Sequence, residues 1–287
     1  MKNNLAKFCF DKDKCIACGK CIKVCPGQLL KFNENKDVII KDIDCFGWDG
    51  CWKCQHCMAV CPKSAISVLG KSPEECVTPP ESENLPQILD ALIKNRRSHR
   101  QYLNKDVDKR VLDDILKTVQ NAPNGGNKGL VEYTVIDDKE QVKYFHDIVY
   151  SKMEKLANKG IYANGYDKKS YEQLKEWEKI VRPDMLFCSA PNLCIPHAPV
   201  GEGCYIQDVN IACVYFDLLC SSRGLGSIMM TYPLDVLDLM PKEKSMLGIP
   251  DNHYIAMIIG FGYPKIKYKR GVDKFNENKI KKIKFKI

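Results

Sequence analysis

The chain has 287 residues, 16 of them cysteine, and a formal charge of +8. That length builds a sizeable core plus a small satellite module. It has no apolar run of the roughly 18 residues a membrane span needs, and the opening MKNNLAKFCF lacks the apolar stretch of a signal peptide, so a soluble cytoplasmic protein with no membrane partner is expected. Residues 265–287 carry ten Lys/Arg against Asp273 and Glu277, which accounts for the whole excess, and the rest of the chain is balanced. With no aromatic stacking platform and no recognition motif, nucleic acid is not expected as a partner.

In chain order, the first pattern is Cys15-Ile16-Ala17-Cys18-Gly19-Lys20-Cys21, running on to Cys25-Pro26. It returns 36 residues later as Cys51-Trp52-Lys53-Cys54-Gln55-His56-Cys57, running on to Cys61-Pro62. Each is C-x2-C-x2-C-x3-C-P, the run in which the fourth Cys ligates the other run's cluster. Three thiolates spaced by two residues wrap three corners of a cubane, and the fourth corner needs a sulfur from elsewhere. One [4Fe-4S] cluster is therefore assigned to Cys15, Cys18, Cys21 and Cys61, and the other to Cys51, Cys54, Cys57 and Cys25. A zinc site would leave half of these sulfurs unused. Thiolates of this kind persist in a reducing compartment. The other eight cysteines read as inert thiols. By this pattern, the start of the chain resembles a bacterial-type ferredoxin carrying two [4Fe-4S] clusters.

The module ends near Leu69-Gly70, and residues 71–86, rich in Pro and Glu, read as a semi-extended linker. Asn84 with Gln87 three residues on predicts a helix start, with Ile88, Leu89, Leu92 and Ile93 as its apolar face. The helix delivers Arg96-Arg97-Ser98-His99-Arg100, either cations at a helix C-terminus or a clamp for a phosphate. A second helix over 111–119 stops at Ala122-Pro123-Asn124-Gly125-Gly126-Asn127, an ordinary turn or a loop that brings backbone to a ligand. A strand over 131–136 and helices over 139–157 and 169–181 follow. Residues 186–195 read as a buried strand interrupted at Ala190-Pro191. Residues 205–221 are apolar nearly all round, which predicts a helix buried in the core or between subunits, capped by Arg223-Gly224. A strand over 228–231, a helix near 234–240 and a strand over 254–259 come next. In the final segment Ile283, Phe285 and Ile287 alternate with Lys282, Lys284 and Lys286, which predicts an edge strand pairing with a partner subunit, or else a disordered basic tail.

Several of these signals occur in one order: R-R-S-x-R after the first helix, A-P-x-x-x-N after the second, Ala190-Pro191, a G-L-G-S after the apolar helix, and I-G-x-x-Y-P-K near the end. In that order, residues 85 to about 270 resemble the nitroreductase family, and the whole chain resembles a ferredoxin–nitroreductase fusion. The resemblance implies an α+β fold, with a central mixed or antiparallel sheet surrounded by helices, and a homodimer binding FMN at the subunit interface. Its domains would be a two-cluster ferredoxin domain over 1–70, the linker over 71–86 and the flavin domain over 87–287. Arg96, Arg97, Ser98 and Arg100 would hold the FMN phosphate and ribityl chain. Pro123, Asn124, Gly125 and Asn127 would approach the flavin of the partner subunit. Met229, Met230, Thr231 and Tyr232 would place backbone against the isoalloxazine, although the Met pair also reads as core filling. Arg270, with Lys269, would reach the phosphate. No Pro-x-Glu-Gly follows G-L-G-S, so the resemblance does not extend to the usual nicotinamide contact.

The chain has no Ser-His-Asp set, H-E-x-x-H or P-loop, so hydrolysis and phosphoryl transfer have no support, and no catalytic side chain is assigned. The expected function is an electron route from an external low-potential donor through two clusters and FMN to a small organic acceptor, nitroaromatic-like or similar. Three alternatives stand beside it: a nicotinamide-dependent reductase with ancillary clusters, a redox sensor or carrier without its own substrate, and a flavin-fragmenting or dehalogenating relative.

Overall fold

The computed structural model describes residues 5–285, and the chain divides into two compact units. The first comprises Met1–Glu81 with Pro123–Val131 and Pro199–Asp208, and the second the remainder, Ser82–Ala122, Glu132–Ala198 and Val209–Ile287. Among the described residues, no helix is long and apolar enough to cross a membrane.

In the first unit β1 (Cys9–Phe10), α1 (Lys20–Lys23), β2 (Leu30–Phe32), β3 (Val38–Ile40), α2 (His56–Ala59) and β4 (Ile66–Ser67) follow in order. β1 pairs antiparallel with β4, Cys9 opposite Ser67, and β2 with β3, Leu30 opposite Ile40. The doubled sequence is a doubled backbone. Ala17 and Lys53 have φ of 52° and 54°, Gly19 and Gln55 70° and 59°, Gln28 and Ser64 49° and 51°, each pair separated by the offset of the motif. Five of these six carry a side chain in a region where it costs on the order of 1 kcal/mol. The core is small: Phe8, Leu29, Leu30, Val38, Met58, Ile66 and Val68, with half-buried cysteines against them.

The second unit begins with α3 (Leu85–Asn95), α4 (Lys109–Val119), β5 (Glu132–Ile136), α5 (Lys139–Ala157), α6 (Lys168–Ile180) and β6 (Asn192–Pro199). It continues with α7 (Tyr205–Ser222), whose residues up to Asp208 are counted with the first unit, then β7 (Gly226–Met230), α8 (Tyr232–Leu237), α9 (Pro241–Ser245), β8 (His253–Ile255) and β9 (Ile258–Gly262). The five-stranded sheet runs β5-β6-β9-β7, with β8 also paired to β6. β6 is antiparallel to β5 and β9, and β9 to β7. Side-chain caps fix the helix starts: Asp108 Oδ1 accepts from the Arg110 amide and Asp138 Oδ1 from those of Glu140 and Gln141. α7 lays Val209, Cys213, Phe216 and Cys220, all fully buried, against the unit's core. It stops where Gly224 takes φ 73° and the Leu225 amide reaches back to the Cys220 carbonyl at 2.9 Å.

The structure corrects two expectations. Residues 186–190 are not strand. The Leu186 and Phe187 amides donate to Asp184 Oδ1 and that of Ser189 to Asp184 Oδ2, so a side chain takes the bonds a ladder would need, and β6 starts only at Asn192. The expected strand over 254–259 is two, β8 and β9, on different stretches of the sheet. Among the described residues the apolar face of α3 is only partly covered, with Leu92 half-buried but Ile88 59 % and Ile93 51 % exposed, and Val214 and Tyr215 leave part of α7 exposed as well. Residues 281–285 form no strand within the single chain, and Ile283 and Phe285 are exposed; the expected pairing is with a second copy, and Lys286 and Ile287 lie outside the described residues.

Candidate functional site

In the first unit, the eight motif cysteines converge on two cavities in crossed sets. Cys15, Cys18, Cys21 and Cys61 line one, with Ile16, Pro62 and Ile66. Cys25, Cys51, Cys54 and Cys57 line the other, with Pro26, Trp52 and Leu29. The crossing follows from the short helices: the first three cysteines of each run lead into α1 or α2, and the fourth leaves its helix toward the opposite cavity. The left-handed residues turn amide N–H groups onto sulfur, Ala17 to Cys15 at 3.3 Å, Leu29 to Cys25 at 3.4 Å and Ala65 to Cys61 at 3.3 Å. Burial pushes the Cys57 thiol up to about 12 and also raises Cys21 and Cys51. Such thiols give up their protons when a cationic iron core takes them.

In the second unit, the segment after α3 runs beside β7. Ser98 bridges Ser227, and the His99 amide donates to the Ser227 carbonyl at 2.9 Å. This approach is why position 226 is glycine: a Cβ there would lie 2.5 Å from Cγ of His99. The cationic side chains divide. Arg96 Nη1 lies 3.4 Å from Oδ2 of Asp217, whose Oδ1 accepts from Ser227 Oγ at 2.6 Å. Arg97 Nη1 donates to the Lys94 and Arg96 carbonyls at 2.8 and 2.6 Å, while its Nη2 is buried and unpartnered. Arg100 is exposed and donates to the Ser98 carbonyl at 3.4 Å. Arg270 is brought to the same end of α3, because the next residue but one, Val272, donates its amide to the Lys94 carbonyl at 3.2 Å. Of the residues after G-L-G-S, Met230 is buried in the core, Thr231 is exposed, and the Tyr232 ring packs on Tyr166 at 4.3 Å, with burial pushing its hydroxyl up to about 12.

The remaining candidates, Pro123, Asn124, Gly125 and Asn127, fall in the first unit with the cysteines. Asn124 Oδ1 accepts from the Gly129 amide at 2.8 Å, and the Gly125 amide donates to Oδ1 of Asp208 at 2.9 Å. Asn127 donates from Nδ2 to the Trp52 carbonyl at 3.0 Å, one residue from Cys51. Sequence reasoning passed over Asp208 and Asp217, the buried carboxylates that organise these segments. The available signal was two isolated acids within the apolar run of α7.

With this geometry in view, comparison with known proteins decides the lineage. The profile described as "Nitroreductase family" matches residues 93–263, more than half of the chain. The chain belongs to the nitroreductase family. A second profile, the 4Fe-4S dicluster domain, matches residues 14–65, so this family member is an oxidoreductase that also carries a ferredoxin-type domain for two [4Fe-4S] clusters. A provisionally named NADH dehydrogenase/NAD(P)H nitroreductase of Archaeoglobus fulgidus is 24 % identical over 66 % of this chain and 94 % of its own. Among solved structures, an FMN-bound nitroreductase of Bacteroides fragilis has a TM-score of 0.54 at 19 % identity, covering 69 % of this chain and 99 % of its own. An FMN-bound nitroreductase of Desulfitobacterium hafniense has a TM-score of 0.53 at 22 % identity, covering 67 % and 96 %. These structures show a nitroreductase fold over about two-thirds of the chain.

Proposed function

We propose that this nitroreductase-family chain takes electrons from an external low-potential donor through two [4Fe-4S] clusters to FMN and delivers them to a small organic acceptor, nitroaromatic-like or similar. The observation that carries the reading is the pair of four-cysteine cavities in a chain with a nitroreductase fold, because a reductase driven only by a nicotinamide has no use for them. Cys15, Cys18, Cys21 and Cys61 would hold one cluster, and Cys25, Cys51, Cys54 and Cys57 the other. The amides of Ala17, Leu29 and Ala65 donate to sulfur, and such bonds favour the more negative state and so raise a cluster's potential.

The residues of the second unit fit a phosphate-bearing flavin. Arg97 has a buried, unpartnered guanidinium nitrogen, which costs free energy until it is paired and is a ready donor to an oxyanion. Arg96 meets Asp217 through Nη1 at 3.4 Å, and a guanidinium carries five N–H donors, so others would serve a ligand. Ser98, Arg100 and Arg270 would complete the phosphate and ribityl contacts. Pro123, Asn124, Gly125 and Asn127 would approach the flavin of a partner subunit, and the backbone of Met229, Met230, Thr231 and Tyr232 would lie along the isoalloxazine. A homodimer would cover the apolar faces of α3 and α7 that the single chain leaves exposed. The FMN in two structures of the same fold supports the choice of flavin.

The test is anaerobic photoreduction of reconstituted protein while the flavin absorption bands are followed. Wild type should bleach, and Cys54→Ser should bleach at least ten-fold more slowly. If the Cys54→Ser protein consumed a nitroaromatic with NADH as fast as wild type, the clusters would be ancillary and the electron route rejected.

A further inference from the structure

We propose that Glu132, His197 and His253 form a binding site for one divalent transition metal ion of the zinc class, separate from the cluster cysteines. The three residues come from three neighbouring strands of the second unit. Glu132 opens β5 and sits directly opposite His197 of β6, and His253 opens β8, which also pairs with β6. One ligand atom from each lies within 4.8 Å of the others. Nothing in the flavin or cluster chemistry uses them.

The orientation of the rings favours a cation. Thr134 stands two residues along from Glu132, hence on the same face of the strand. Its Oγ1 lies 3.0 Å from Nε2 of His197. When that nitrogen carries the ring proton and donates it to Thr134, the Nδ1 lone pair of His197 faces Nδ1 of His253, 2.8 Å away. A ligating histidine is commonly fixed in this way, through its far nitrogen. Two imidazole nitrogens so close share at most one hydrogen, and a metal ion can take its place. At metal–nitrogen bonds of about 2.0 Å, tetrahedral ligands stand about 3.3 Å apart, so the two rings need to part by about half an ångström, and the exposed Glu132 side chain has the freedom to swing its carboxylate in to the ion. His197 is 2 % exposed and Glu132 is exposed, which gives the ion an anchored base and an open entrance. Two imidazoles and a carboxylate without thiolate suit zinc, cobalt, nickel or ferrous iron rather than calcium or magnesium. Among the described residues the cluster has three members, which leaves a fourth position for water or a small ligand.

The experiment uses the full chain with both clusters assembled, titrated anaerobically with zinc chloride, with bound zinc, iron and sulfide measured per chain. The expected result is one zinc per wild-type chain, bound at least 100-fold more weakly by His253→Gln and by Glu132→Gln, with iron and sulfide unchanged. Glu132 is exposed, so its variant remains informative if loss of His253 disturbs the sheet. Wild type that takes up no zinc would leave an ordinary histidine–histidine hydrogen bond and overturn the proposal. Equal zinc uptake by wild type and both variants would place the metal elsewhere and overturn it too.

Discussion

His99 shows how a residue in a functional motif can be governed by its packing. Its ring lies against the backbone of Gly226 and edge-on to Tyr268, with centroids 5.5 Å apart. Burial, chiefly, and then the charge of Arg96 hold its pKa below the ordinary 6.5, while Asp217 pulls the other way. The folded chain therefore binds fewer protons here than the unfolded chain. This contribution to stability is full above about pH 6.5 and is lost as the pH falls toward the lowered value. The melting temperature should fall between pH 7.5 and 5.5, and His99→Gln should flatten that slope; identical slopes in the two proteins would refute the assignment. The sequence offered the types Arg, Arg, Ser, His and Arg in order. It did not say that Arg96 would meet Asp217, 121 positions on, or that Arg97 would keep a nitrogen free.

At the scale of elements, legibility followed local signals. The expected helix over 139–157 coincides with α5, because Asp138 caps its start and apolar residues recur along its buried side. The strand expected over 186–195 failed because apolar composition does not distinguish a ladder from a loop whose amides bond to a carboxylate, here that of Asp184. Glycine positions carry a related lesson. Gly226 has no unusual φ, yet the crossing of the 96–100 segment over β7 leaves no room for a methyl group. Gly226→Ala should cost about 1–3 kcal/mol through displacement of His99, read from the denaturant midpoint. A midpoint within about 0.5 kcal/mol of wild type would mean that the segment moves aside freely.

For the whole molecule, the first unit has a small core and several left-handed residues that its own packing must offset. Small domains of this kind lean on bound metal for stability. Removal of iron with a chelator should therefore open this unit first, with proteolytic cuts gathering within residues 5–81 while the sheet of the second unit survives; matching digests of holo and iron-free protein would contradict this. The family, the doubled cysteine run and the position of most long helices are legible from residue order alone, because covalent spacing and period along one element are local quantities. Folding in three dimensions sets which carboxylates face which cations, which apolar helix faces are left uncovered, and that three residues from separate strands meet as Glu132, His197 and His253. Those outcomes depend on strand register and chain crossings between distant residues, which no local pattern encodes.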